Sequence, residues 1–325
     1  MIMKTTKMWL LALIFLAFTA VSCDNEEDPI DEAKVLVEYL ESADGGNYAN
    51  TAMAAIKSAA DTKTGNIAGT MYLVDIRAAD DYALGHVENA VNVPAADILS
   101  HLDGTDADDG KDVIVICYSG QTAAWATCLL RISGYDNAYS MLFGMSSWHA
   151  DFAGSWNSNI SNQWAASFED DAVAKGAVGD LPVLNTGKTT GEEILKARVA
   201  VVLAEGFSTA AVTNGEVLGA IDNYYVANYW GEADYTKYGH VPTASQYTPK
   251  ASIALDVDLL TLPADETVVV YCWTGQTSAN MAAYLRVIGY NAKTLKFGAN
   301  GMIYDELEAH KWSEGAIQGF AYVTE

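Results

Sequence analysis

Cys117 and Cys272 are the residues of this chain best suited to act as nucleophiles. Each opens one of two nearly matching segments. Val115-Ile116-Cys117-Tyr118-Ser119-Gly120-Gln121-Thr122-Ala123 is answered 155 positions later by Val270-Tyr271-Cys272-Trp273-Thr274-Gly275-Gln276-Thr277-Ser278. In both, an apolar strand-like run delivers a cysteine to a tight loop that leads into a helix. Backbone N–H groups converge in such a loop and, with the helix N-terminus, form an anion nest. A nest of this kind lowers a thiol pKa and stabilises a thiolate. The thiolate can attack a sulfane sulfur, and the resulting persulfide occupies the same cradle. Gly120 and Gly275 permit the sharp bend. The hydroxyls of Ser119, Thr122, Thr274 and Thr277 and the side-chain amides of Gln121 and Gln276 are neutral donors within reach of an anion.

Two further cysteines carry different expectations. Cys128 lies eleven residues after Cys117, and the position eleven after Cys272 is Ala283. A cysteine interchangeable with alanine reads as a small core residue. Cys23 belongs to the N-terminal leader described below. Without it three cysteines remain, which is no disulfide framework. No paired CxxC and no Cys/His cluster suggests zinc, and no cofactor is implied. His86 and His240 precede the cysteines in each copy and read as turn residues rather than as general bases.

The repeat extends well beyond the loops. Leu130-Arg131-Ile132-Ser133-Gly134-Tyr135 answers Leu285-Arg286-Val287-Ile288-Gly289-Tyr290, with the glycines where a helix C-cap belongs. Phe143-Gly144 answers Phe297-Gly298. Upstream, Tyr82…Gly85-His86-Val87 answers Tyr235…Gly239-His240-Val241. Met71 to Asp75 reads as a buried strand, and Tyr224 to Asn228 takes its place in the second copy. Helical stretches, Glu32 to Ser42 and Glu192 to Glu205, open the two units. Alternating strands and helices predict an α/β fold: two tandem domains, each a doubly wound parallel sheet flanked by helices. The expected organisation is 23–31 acidic tether, 32–165 first domain, 166–191 linker and 192–325 second domain, after a leader at 1–22. Trp156 and Trp164 are expected to pack on the first domain.

Residues 1–22 carry Lys4 and Lys7, then thirteen apolar or small residues from Met8 to Ala20. That run is too short for a comfortable membrane span and reads as a signal peptide. Ala20-Val21-Ser22-Cys23 resembles a bacterial lipobox, which implies a lipid on Cys23. The expectation is an exported lipoprotein, anchored to a membrane on the periplasmic or cell-surface side. The 325 residues include 18 basic and 42 acidic ones, for a net charge of −24. Such a chain repels phosphate backbones, so nucleic acid is not an expected partner.

The full pattern is more specific than the loop alone. Asp75-Ile76-Arg77 follows an apolar strand. Then come Tyr82…Gly85-His86-Val87…Ala90-Val91-Asn92-Val93-Pro94, the Val113–Ala123 segment with Cys117, and Gly134-Tyr135. Together they resemble a rhodanese domain, and the resemblance covers both units. It implies transfer of sulfane sulfur through persulfides on Cys117 and Cys272. It implies an amide cradle at Tyr118, Ser119, Gly120, Gln121 and Thr122 and at Trp273, Thr274, Gly275, Gln276 and Thr277, with Asp75 and Arg77 supporting the first site. The partners implied are a small sulfur-containing substrate or a thiol protein. A persulfide carrier or a non-catalytic binding module of the same architecture is the alternative.

Two departures qualify this reading, and one rival chemistry is disfavoured. Neither loop holds the Arg or Lys that many thiosulfate-using members have, which leaves thiosulfate, polysulfide and persulfide all open as donors. Cys-x5-Arg phosphatase chemistry is disfavoured, because Ala123 and Ser278 stand where the arginine would be. In the second unit Asn228-Tyr229-Trp230 replaces Asp75-Ile76-Arg77, and the aromatics around it either wall a more apolar pocket or fill core.

Overall fold

Two five-stranded sheets, every pairing parallel, carry the two cysteine loops in equivalent places. The computed structural model describes residues 30–48, 55–105 and 109–325. In the first unit β1 (Ile56–Lys57), β2 (Met71–Asp75), β3 (Val91–Asn92), β4 (Asp112–Ile116) and β5 (Ala138–Met141) lie in the order β1-β5-β4-β2-β3. In the second, β6 (Ala211–Val212), β7 (Tyr225–Asn228), β8 (Ser245–Gln246), β9 (Thr267–Tyr271) and β10 (Asn291–Leu295) repeat that order as β6-β10-β9-β7-β8. The cysteine strand is the central one in each. Val113 to Ile116 and Val268 to Tyr271 are buried on both faces, which is why they read as unbroken apolar runs rather than alternating ones.

Five described helices reach ten residues or more: α1 (Glu32–Glu41), α2 (Ala59–Ala68), α3 (Gln121–Ile132), α4 (Gly191–Glu205) and α5 (Gln276–Val287). Side-chain caps from Asp31, Ser58 and Thr190 start α1, α2 and α4. The two helices that follow the cysteines, α3 and α5, end alike. Tyr135 donates its N–H to the Leu130 carbonyl at 3.1 Å, and Tyr290 to that of Leu285 at 2.9 Å, around left-handed Gly134 and Gly289. The predicted C-cap glycines are therefore in place.

Helices α3 and α5 pack directly on each other and form the heart of the junction between the units. Both helices are rich in small buried residues, including Ala123, Ala124 and Ala126 in α3 and Ala279, Ala282 and Ala283 in α5. Small side chains let the helix backbones come close. The Asn280 side chain donates to the Ala124 carbonyl at 3.4 Å and accepts from the Tyr48 hydroxyl at 2.9 Å.

The chain crosses between units in ways the sequence reading did not anticipate. Trp164 packs within the second unit's core, and its N–H donates to the Met302 carbonyl at 3.2 Å, so its assignment to the first domain is corrected. Trp156 lies between the units, stacked on Trp312 at 5.6 Å. The last residues return to the first unit. Phe320 meets Trp148 edge-on at 5.0 Å, Tyr322 meets Phe152 at 4.9 Å, and Val323 bridges to His86. The leader, Cys23 and the tether up to residue 29 lie outside the described residues, and Asp31, at the tether's end, caps α1. No helix among those described is long and apolar enough to cross a membrane.

Candidate active site

Both cysteines emerge at the carboxyl end of a central parallel strand, where ligand sites form in sheets of this kind. Left-handed Gly120 (φ 85°) and Gly275 (φ 80°) turn the chain into α3 and α5. The cap residues are glycines with no side chain to offer, and N–H groups of the first turn point to the cysteine sulfurs instead. The Cys117 Sγ accepts from the backbone N–H groups of Gly120 at 3.2 Å and Ala123 at 3.3 Å. The Cys272 Sγ accepts from that of Ser278 at 3.3 Å.

Burial opposes the cradle. Cys117 is 5% exposed and Cys272 2%. Burial pushes the Cys117 thiol above its ordinary range, and the Asp75 carboxylate adds to the push. The amides of Ala123, Gly120 and Ser119 pull the other way without overcoming it. The expected lowering of this thiol is thus corrected, because removing water from a thiolate costs more than three amide dipoles return. Cys128 is the inert core residue that its alanine counterpart suggested, fully buried and pushed up to about 12 by burial.

A Phe-Gly turn backs each loop. Phe143 (φ 59°) and Gly144 (φ 58°) are both left-handed, as are Phe297 (φ 62°) and Gly298 (φ 50°). A side-chain carbon on Gly144 or Gly298 would collide with the carbonyl oxygen of Cys117 or Cys272, so this close approach requires glycine. Met145 donates to the Cys117 carbonyl at 2.8 Å, and Ala299 to the Cys272 carbonyl at 3.0 Å. Ser146 and Asn300 hold the next carbonyls, of Tyr118 and Trp273, both at 3.1 Å.

Each turn is clamped from the opposite unit. The Gln276 Oε1 accepts from the Phe143 N–H at 2.9 Å, and its Nε2 faces the carbonyls of Gly120 (3.3 Å) and Met141 (3.4 Å). Reciprocally, the Gln121 Oε1 accepts from the Phe297 N–H at 2.8 Å. Its Nε2 donates to the Ser119 Oγ at 3.1 Å. These side-chain amides were expected to face an anion. The structure instead buries both and uses them as crossed braces between the two cysteine loops. Phe143, Phe297, Trp156 and Trp312 fill the space beside them, and the Trp156 indole donates to the Ser119 carbonyl at 3.1 Å.

The remaining predicted residues divide by environment. Tyr118, Ser119 and Thr122 are half-buried around Cys117, as are Trp273 and Thr277 around Cys272. Thr274 is buried and its Oγ1 accepts from the Gln276 N–H at 3.4 Å. In the first unit, Arg77 makes a buried two-pronged ion pair with Asp75, the closest contact 2.7 Å, and donates to the Gly85 carbonyl. Its guanidinium lies 4.9 Å from the Tyr118 ring. The second unit keeps the shape without the charge. The Trp230 N–H donates to Asn228 Oδ1 at 3.1 Å, as that of Arg77 does to Asp75 Oδ1 at 3.0 Å. Asn228 Nδ2 donates to the Tyr271 hydroxyl at 2.7 Å. Trp230 then stacks on Trp273 at 4.1 Å, where Arg77 meets Tyr118 in the first unit. His86 and His240 stack on Tyr82 and Tyr235 and bond to backbone carbonyls, in keeping with a structural place.

A cavity of about 340 Å³ opens at Cys272, lined by Tyr229, Trp230, Trp273, Thr277, Asp234 and Lys250 among others. Lys250 escaped the sequence reading because it stands 22 residues before the cysteine, outside the loop. Of the aromatics in this region, Tyr229, Trp230 and Trp273 line the cavity while packing on the cores, and Tyr224 and Tyr225 pack on the cores alone.

The adenylyltransferase and sulfurtransferase of Ogataea parapolymorpha is 34% identical over 77 residues, which is 24% of this chain and 20% of that protein. The match thus spans only about a fifth of that relative's length. Thiosulfate sulfurtransferase GlpE of Shewanella oneidensis is 34% identical over 82 residues, 25% of this chain and 79% of the relative. The crystal structure of a thiosulfate sulfurtransferase from Pseudomonas aeruginosa aligns over 87% of this chain and 48% of its own, at 17% identity and a TM-score of 0.31. The rhodanese-like domain model matches residues 57–151 and again 228–303, together more than half of the sequence. The chain therefore belongs to the rhodanese-like family and carries its domain twice.

Proposed function

We propose that the protein is a sulfurtransferase in which Cys117 and Cys272 each accept a sulfane sulfur and hand it to a thiophilic acceptor. The observation that carries this reading is the pair of sulfurs facing backbone N–H groups, from Gly120 and Ala123 at one site and Ser278 at the other. In the first half-reaction the cysteine sulfur attacks the donor's sulfane sulfur. The new S–S bond forms, the donor's bond to that sulfur breaks, and the leaving group departs with the electron pair. The thiol proton goes to solvent. A persulfide carries its charge one atom farther out, beside the same loop and helix amides. A thiol acceptor then attacks the outer sulfur and restores the cysteine, giving ping-pong kinetics.

The Asp75–Arg77 pair fixes the strand end beneath Cys117 while contributing no net charge. With no basic residue in either loop, thiosulfate, polysulfide and protein persulfide all remain donors of this reading. One observation favours a second reading, a non-catalytic binding module: the Cys117 thiol is buried and pushed up rather than activated. Treatment with polysulfide followed by intact-mass analysis separates the two. A gain of about 32 Da per sulfur on each cysteine supports transfer, and its absence on both supports the module.

Anchoring of the chain by a lipid on Cys23, on the periplasmic or cell-surface side of a membrane, is part of the same proposal. Its support is the lipobox-like Ala20-Val21-Ser22-Cys23. Labelling with radioactive palmitate tests it: incorporation should vanish in Cys23→Ala.

A further inference from the structure

We propose that the Cys272 site is built for an organic sulfur donor, one whose sulfane sulfur sits at the end of an apolar, preferably aromatic, body. The proposal rests on the sulfur-transfer reading and adds a substrate class to one of its two sites. The cavity at Cys272 has a volume of about 340 Å³. A water occupies roughly 30 Å³ of liquid, so a small inorganic anion would leave most of this space wet. Pockets from about 300 Å³ upward suit organic molecules.

The walls specify the kind of molecule. In the first unit, the guanidinium of Arg77 lies over Tyr118 beside the cysteine. The second unit replaces that pair with Trp230 stacked on Trp273, interplanar angle 14°. The matching exchange of Asp75 for Asn228 removes the partner charge, so the substitution is coordinated and not a lone loss. Because Trp230 and Trp273 cover one another and His310 covers the other side of Trp273, the indoles line the cavity with apolar ring edges, which suit the face of an aromatic group better than a compact dianion. The far face of Trp273 is covered by His310 at 5.4 Å, which holds the ring as a fixed wall. Lys250 and Asp234 contribute opposite charges to the lining. Lys250 is exposed and occupies a left-handed backbone conformation (φ 62°) that a lysine adopts only when its surroundings impose it. Its N–H is tied to the Tyr229 hydroxyl at 3.0 Å, at the same cavity. A lysine at the rim of the cavity suits a donor carrying a single negative charge.

An aryl thiosulfonate illustrates the chemistry. Cys272 Sγ attacks the terminal sulfur of ArSO2S⁻, and a new S–S bond forms. The bond between the terminal sulfur and the sulfonyl sulfur breaks, its electron pair leaving with ArSO2⁻. The cysteine sulfur is oxidised to the persulfide level, the sulfonyl sulfur is reduced to sulfinate, and the thiol proton goes to solvent.

The test uses Cys117→Ser and Cys272→Ser in the full chain, each leaving one site cysteine. Each is loaded with benzenethiosulfonate, thiosulfate or polysulfide, and persulfide formation is timed by mass spectrometry. Comparing the benzenethiosulfonate-to-thiosulfate rate ratio between the two cysteines cancels the donors' intrinsic reactivities. That ratio should be larger at Cys272 by about tenfold, the worth of one well-placed edge-to-face aromatic contact. Trp273→Ala should bring it down, and Lys250→Ala, an exposed change that spares the packing, should do so as well. Equal ratios at both cysteines, or a ratio that neither variant moves, would overturn the substrate assignment and leave sulfur transfer standing. No mass gain from any donor at either cysteine would overturn both.

Discussion

Replacing Gln276 should disturb Cys117, in the other domain, more than it disturbs Cys272, four residues away in its own loop. Gln276→Met keeps the length of the side chain and removes its hydrogen-bonding atoms. The carbonyls facing Nε2 keep other donors: Ala124 N–H at 2.9 Å for Gly120, and Gly144 N–H at 3.0 Å for Met141. The Phe143 N–H loses the Oε1 acceptor it has at 2.9 Å. A buried donor left without a partner costs about 1–3 kcal/mol. Concentrated on the Phe143–Gly144 turn, that cost shifts the loop's closed-to-open balance by about 5- to 150-fold. The turn feeds the amides of Met145 and Ser146 to the carbonyls of Cys117 and Tyr118, so loosening it exposes the Cys117 thiol. Iodoacetamide labelling with peptide-level mass analysis reads both cysteines in one tube. In Gln276→Met, Cys117 should label faster by a factor in that range, and Cys272 should change by less than about threefold, under 1 kcal/mol. Gln121→Met should give the mirror image through the Phe297 N–H. The reasoning fails if each substitution acts mainly on the cysteine of its own loop, or on both alike.

Other perturbations follow from the same geometry. Gly144→Ala and Gly298→Ala should each destabilise the protein by at least about 1–3 kcal/mol, the cost of strained backbone before any collision with the cysteine carbonyl is counted; urea denaturation measures this. Asp75→Asn strands the buried Arg77 charge and should cost about 3–5 kcal/mol, whereas Asn228→Ala at the matching position breaks only neutral hydrogen bonds and should cost about 1–3 kcal/mol. The pH profile of Cys117 alkylation should have its midpoint above the roughly 8.5 of a free thiol. Burial favours the uncharged form, so less thiolate is present at neutral pH and reactivity climbs later; a midpoint below that of free cysteine would contradict the burial argument.

The parts of the fold that announce themselves in the sequence are those with strong local patterns. Unbroken apolar runs gave the central strands β4 and β9, and glycines after Cys117, Cys272, Ser133 and Ile288 marked the turns at both ends of α3 and α5. The edge strands β1 and β6 are two residues each and carry no periodicity, so only the sheet reveals them. The exchange of Asp75 and Arg77 for Asn228 and Trp230 was readable by aligning the repeats, but its outcome, an indole stack in place of a cation over a ring, depends on side-chain placement. The crossed glutamines were misread because their partners, the amides of Phe143 and Phe297, lie more than 130 positions away in sequence. Lys250 was overlooked for the same kind of reason, since a cation near a pocket need not be near the cysteine in sequence. The thiol's direction of shift was misjudged because the amides are visible in a loop motif and the burial is not.

Sulfur carried on both cysteines of the paired loops is open to a direct test. Brief exposure of the protein to polysulfide, followed by digestion and mass analysis of the peptides holding Cys117 and Cys272, tests it directly. The account predicts a gain of about 32 Da on both peptides, reversed by a thiol acceptor, and on neither when its cysteine is changed to serine. Both peptides emerging at their unmodified mass would contradict it.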